Sequence, residues 1–194
     1  MKKMFLPASD HRIVPCAGFL SRCLHGVAVF ILVLSMGQAA TAGELKQAIV
    51  KAVTASSDGT ENPIDWPHHP AMAIDGNLKT CWASGTNDTV GAWLKFSFDA
   101  KTKIDRIQIV NGWIPQGYPD FYTKNHRAQT ITLTYDNGKE ETFELKDENA
   151  VQTISPALAG ETKSVTLKID KLYAATTGDE PWVTLSEVTF FSVE

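Results

Sequence analysis

The chain has 194 residues, with 18 basic and 22 acidic side chains, a formal net charge of −4 and 43% hydrophobic residues. An acidic balance argues against nucleic acid and anionic membrane surfaces as partners, because phosphates repel it. Two of the three cysteines, Cys16 and Cys23, lie in the first 42 residues, so stability beyond that point rests on a core and not on a disulfide framework.

The first segment reads as a secretory signal peptide over residues 1–42. Lys2, Lys3, Arg12 and Arg22 form a basic leader, 27–36 is an apolar run, and Ala40-Thr41-Ala42 is a small-residue cleavage site. The apolar run is shorter than the roughly 20 residues that span a bilayer. The expected product is one exported domain, 43–194, periplasmic or extracellular, with no stable membrane insertion after cleavage. Its 14 basic and 21 acidic residues leave a net charge of −7, and Cys81 is its one cysteine.

Beyond Gly43 the dominant period is two. A first strand is expected within 48–57. The segment 65–72, DWPHHPAM, follows. Its adjacent His68 and His69, with Asp65, can contribute to a zinc site, but no second cluster completes a four-ligand set. An exposed loop, with Trp66 available to a ligand, is the other reading.

Next comes AIDGNLKTCWAS, 73–84. Asp75-Gly76-Asn77 is a sharp turn. Asp75, the Asn77 carbonyl and Thr80 can supply oxygens to a hard cation such as calcium, which takes six to eight of them. A further carboxylate is needed, and Glu187 is the candidate if the last strand lies alongside. A self-capping turn without metal is the alternative. Cys81 and Trp82 read as core residues, as does Trp93.

Leu94, Phe96 and Phe98 alternate with polar residues, and Ile107 and Ile109 do the same. The stretch 130–145 reads as a hairpin turning at Asn137-Gly138, with Ile131, Leu133, Tyr135, Phe143 and Leu145 on one face. Val165, Leu167 and Ile169 mark another strand, and 183–193 the last. Seven or eight strands with one buried face each predict an all-β, two-layer sandwich. The segment 110–127, VNGWIPQGYPDFYTKNHR, is too long and too aromatic for a plain turn. Long ordered loops on rigid sandwiches commonly bind ligands. Trp113, Tyr118 and Tyr122 offer flat apolar faces and Asn125 and Arg127 offer hydrogen bonds, a mixture suited to sugar rings. Trp182 lies in another loop and can join them. Packing of these aromatics onto the sandwich is the competing role. No phosphate loop, Ser-His-Asp spacing or HExxH motif is present, so a non-catalytic module is expected.

The combination of AIDGNLKTCWAS, GAWLKFSF, IDRIQIVNGW and the terminal LSEVTFF resembles the discoidin, or coagulation-factor type C, superfamily. NGW followed by FYTKNHRAQTITLTYDNG resembles most the domain attached to secreted bacterial NAD glycohydrolases. The resemblance covers most of 48–193. It implies a galactose-binding-like jelly-roll β-sandwich of about eight antiparallel strands. It also implies that Asp75 and Glu187, with Asn77 and Thr80, share one structural Ca2+, and that loops at one end bind ligand. The hydrolase of such relatives is a separate domain, so its activity is not carried over. The implied partner is a glycan or glycoprotein, with a protein partner for the same loops as the alternative.

Overall fold

The computed structural model describes residues 43–59, 68–176 and 182–193; the 1–42 leader, Asp65 and Trp66 lie outside them. Ten strands are present among the described residues. They are β1 (Leu45–Ala48), β2 (Val50–Ala55), β3 (Trp82–Ala83), β4 (Trp93–Lys103), β5 (Arg106–Asn111), β6 (Arg127–Tyr135), β7 (Glu140–Glu144), β8 (Val151–Ile154), β9 (Glu161–Tyr173) and β10 (Thr184–Val193). A 3-10 turn, Pro70–Ala73, precedes β3, and a single helical turn, α1 (Phe121–Lys124), interrupts the β5–β6 connection. No helix among the described residues is long and apolar enough to cross a membrane.

The strands form two antiparallel sheets. One has the order β1-β10-β5-β8, with β3 also paired to β10; the other is β2-β4-β9-β6-β7. Alternation explains the layers. Leu94, Phe96 and Phe98 of β4, Ile131 and Leu133 of β6, and Val165, Leu167 and Ile169 of β9 are buried, as period-two side chains on the inner face of a sheet must be. Ile107 and Ile109 of β5 and Leu185, Val188 and Phe190 of β10 are the buried set of the other sheet. The layers meet where the Phe190 ring lies 4.9 Å from Phe96 and 5.3 Å from Phe98.

Two local features differ from the sequence reading. The expected first strand is two: β1 pairs with β10 and β2 pairs with β4, and the chain changes sheets across the exposed Ile49. The 130–145 hairpin closes with a three-residue loop. Gly138 alone has positive φ, at +76°, and Tyr135 N–H donates to the Lys139 carbonyl at 3.0 Å. Asn137 instead caps the turn by accepting from Lys139 N–H at 2.9 Å, an Asx-type arrangement.

The antiparallel registers bring several loops to one end. The C-terminus of β5 bridges β10 through Gly112 and Leu185, and His126 bridges Val183. The segments 74–81, 112–126, 145–150 and 174–176 therefore share that end with Trp182.

Candidate functional site

Asn111, Gly112 and Trp113 organise this end from below. Asn111 is fully buried at the end of β5. Its Nδ2 donates to the Ala128 carbonyl at 2.7 Å and its Oδ1 accepts from Ala128 N–H at 3.0 Å. An amide side chain matches a backbone donor–acceptor pair, so Asn111 ties a strand of one sheet to a strand of the other. Gly112 has φ +72°, and the Tyr122 ring and the Arg127 stem fill the space a side chain there would need.

Trp113 is 3% exposed and presents no open ring face. It stands edge-to-face with His68 at 5.0 Å and with Phe121 at 5.6 Å. Its indole N–H donates to the Lys79 carbonyl at 2.8 Å. Trp113 thus joins the 112–126 loop to the Asp75 corner.

Arg127 is buried as well. Nε and Nη2 grip Asp147 at 3.0 and 2.7 Å, and Nη1 donates to the carbonyls of Asn125 and Ala174, each at 2.9 Å. The guanidinium sits 5.1 Å above the Tyr122 ring, whose hydroxyl donates to Asp147 at 2.9 Å. The Arg127 hydrogen bonds hold the Asp147 carboxyl below its usual range. Burial alone would lower the Arg127 pKa, but Asp147 outweighs it and the net direction is up. Burial and the Asp147 bond push the Tyr122 phenol up. Asn125 is buried, with Nδ2 donating to Phe121 O at 3.0 Å. Expected on the ligand face, Trp113, Asn125 and Arg127 lie beneath it, because the long loop needs its own small core and its own hydrogen-bond partners. Tyr118 is 47% exposed, with its ring 5.4 Å from Phe121. Tyr122 and Trp182 are half-buried.

His68 is a buried packing residue. It contacts Trp113 and Trp182, and its Nδ1 lies 3.3 Å from Cys81 Sγ. Burial lowers the His68 pKa and raises that of the Cys81 thiol, which disfavours the thiolate form. His69 is exposed, 3.5 Å from Asp58.

The corner does bring Asp75 and Glu187 together. Gly76 N–H donates to Glu187 Oε2 at 2.9 Å, and Asp75 Oδ1 accepts from Asn77 N–H at 2.8 Å. Thr80 Oγ1 lies 2.8 Å from Asp75 Oδ2 and 2.7 Å from the Asn77 carbonyl. Burial, opposed by the Gly76 bond and aided by repulsion from Asp75, pushes the Glu187 carboxyl up to about 7. These are hard oxygen donors with two carboxylates among them, a set that suits calcium. Among the described residues no group of three or more His, Cys, Asp or Glu can hold a metal. A cation here would lean on the Asn77 carbonyl and the Thr80 hydroxyl.

Beside the corner lies a shallow groove of about 450 Å³, lined by Leu78, Lys79, Ile114, Pro115, Gln116, Gly117, Pro119 and Asn149. Leu78 is 52% exposed and Ile114 37%. Sequence reasoning passed over this groove, because aliphatic and amide residues spread over three segments form no motif. An apolar Leu78 inside a polar turn was the available signal.

The chain matches the family model of the NAD glycohydrolase translocation F5/8 type C domain over residues 45–191. No curated protein sequence matches it. Among solved structures it is similar to the CBM32 module of AlyQ in complex with 4,5-unsaturated mannuronic acid, with 18% identity over 76% of this chain and 99% of that one and a TM-score of 0.52. A pectin-binding carbohydrate-binding module aligns with 20% identity over 74% of this chain and 91% of that one, with a TM-score of 0.52. CpGH89CBM32-5 from Clostridium perfringens, in complex with GalNAc-β-1,3-galactose, aligns with 16% identity over 73% of this chain and 94% of that one, also at 0.52. At these identities the likeness is one of fold.

Proposed function

Since the chain belongs to the family of NAD glycohydrolase translocation F5/8 type C domains, we propose that it is an exported, non-catalytic module that binds a glycan or glycoconjugate with the loops at one end of its sandwich. The observation that carries this reading is the exposed Tyr118 beside a groove braced from below by Trp113 and Arg127. An exposed aromatic side chain on a braced loop suits ring stacking against sugar C–H groups. Carbohydrate-binding modules built on the same fold lend support. Tyr118, Tyr122 and Trp182 are the contact residues on this reading, and Trp113, Asn125 and Arg127 position them. A glycan array followed by titration tests it. Tyr118→Ala is expected to weaken binding about three- to tenfold with an unchanged melting temperature. Silence across a broad array of glycans would refute the proposal. The aliphatic Leu78 and Ile114 favour a rival, docking of a protein on the same loops. A partner that stays bound in excess oligosaccharide would identify it.

The same reading places one structural calcium at Asp75, Asn77, Thr80 and Glu187. Millimolar calcium should raise the melting temperature of chelator-treated protein, because a ligand of the native state alone adds stability. The pH dependence has a definite sign. Glu187 is raised in the folded state, so without calcium its stabilising contribution is full below about pH 4.5 and is lost as pH rises through about 7. His68 and His126, both lowered mainly by burial, act oppositely: their contribution is full above about pH 6.5 and is lost as pH falls below it towards their lowered folded values. The Glu187→Gln difference isolates the first contribution: relative to that variant, wild type in chelator should lose stability as pH rises from about 4.5 through about 7. Equal melting curves with calcium and with chelator would dismiss the cation.

A further inference from the structure

We infer that the groove between the Asp75 corner and the 113–120 loop selects a carboxylated sugar, with Lys79 as the charge-recognising residue; this rests on the glycan-binding reading above. The arginine and the other lysines described at this end already face carboxylates. Arg127 is held by Asp147 at 2.7 Å, Lys124 by Asp120 at 2.7 Å and Lys146 faces Glu148 at 3.7 Å. Among the described residues Lys79 is the one charged side chain lining the groove. Its ammonium donates to Gln116 Oε1 at 3.0 Å, and no carboxylate among the described residues forms an ion pair with it. An ammonium has three donors, so two N–H groups remain for a ligand.

The side chain is presented from a fixed base. Lys79 N–H donates to Asn77 Oδ1 at 3.1 Å and its carbonyl accepts the Trp113 indole N–H at 2.8 Å. Leu78 and Ile114 flank it with apolar surface, suited to the C–H face of a pyranose. Asn149 is oriented by its bond to the Asn111 carbonyl at 2.9 Å. A groove of about 450 Å³ falls within the usual range of small-ligand sites. The domain as a whole is acidic, so long-range steering does not favour an anion. Recognition must come from a short-range, charge-assisted hydrogen bond, of a strength worth about tenfold or more in affinity.

Titration calorimetry on the exported domain, comparing oligogalacturonate and alginate oligosaccharides with neutral galacto-oligosaccharides of equal length, tests the inference. Acidic sugars should bind about tenfold more tightly, the ratio shrinking at high salt. Lys79→Met should bring the ratio close to one, and Lys79→Arg should restore it in part. Neutral sugars binding as well as acidic ones, or a preference that survives in Lys79→Met, would overturn the inference while leaving the glycan reading intact. No binding of either class, here or on the array, would overturn both.

Discussion

Trp113→Ala is expected to destabilise the domain by about 3–5 kcal/mol, the usual cost of truncating a buried aromatic. The side chain is 3% exposed, packs edge-to-face on His68 and Phe121, and donates to the Lys79 carbonyl. Its removal opens a cavity under the loop and leaves that carbonyl without its donor. For a domain of this size the melting temperature should fall on the order of 10 °C. Trp113→Phe retains most of the ring volume but loses the indole N–H, and about 1 kcal/mol is expected for that bond. Urea denaturation measures both. A Trp113→Ala variant within 1 kcal/mol of wild type would show that the indole is not the pillar described. The result also governs how binding data are read. Weakened glycan binding in Trp113→Ala reports a lost support, whereas the same loss in Tyr118→Ala reports a lost contact.

The second large effect is expected at Gly112. Its φ is +72°, and an added Cβ would fall 2.5 Å from Tyr122 Cε2 and 2.9 Å from Arg127 Cγ. A non-glycine residue in the left-handed region costs roughly 1–2 kcal/mol. Forcing atoms into filled space adds about 1–3 kcal/mol. Relief would require moving Tyr122 and Arg127, which Asp147 holds through both the phenol and the guanidinium. Gly112→Ala should therefore destabilise by about 2–5 kcal/mol. Gly76→Ala and Gly138→Ala are the controls: both have positive φ and nothing within 4 Å of the added Cβ, so only the backbone cost of roughly 1–2 kcal/mol applies. Equal losses at all three glycines would mean that the Tyr122–Arg127 packing contributes nothing at Gly112.

The legible and illegible parts of the chain divide along physical lines. Leu94, Phe96 and Phe98 could be placed on an inner face because a strand alternates strictly, whatever it packs against. The 130–145 hairpin was legible for the same reason, although Asn137-Gly138 turned out to need positive φ at Gly138 only. The change of sheet at Ile49 was not legible, since β-rich composition in 48–57 marks a strand but not which neighbour each half-strand pairs with. His68 read as part of an exposed loop or a weak metal site. Two tryptophans, one of them 114 residues further along, bury it.

The long loop shows the same division within one segment. Its aromatic and polar composition marked 110–127 as ordered and functional in character. Composition carries no direction, so it could not tell Trp113, which points into the molecule, from Tyr118, which points out. Lys79, Ile114 and Asn149 entered no motif, because their proximity exists only once β5, the Asp75 corner and the β7–β8 connection have met.

Local pattern by itself thus determined the strands, the all-β class and the likeness to a known superfamily, because period, turn chemistry and motif are encoded within a few consecutive residues. Tertiary structure alone decided which loop residues are pillars and which are surface, and which lysine stands in the groove. Burial and ion pairing are relations between distant segments, and they come into being only when the two sheets close.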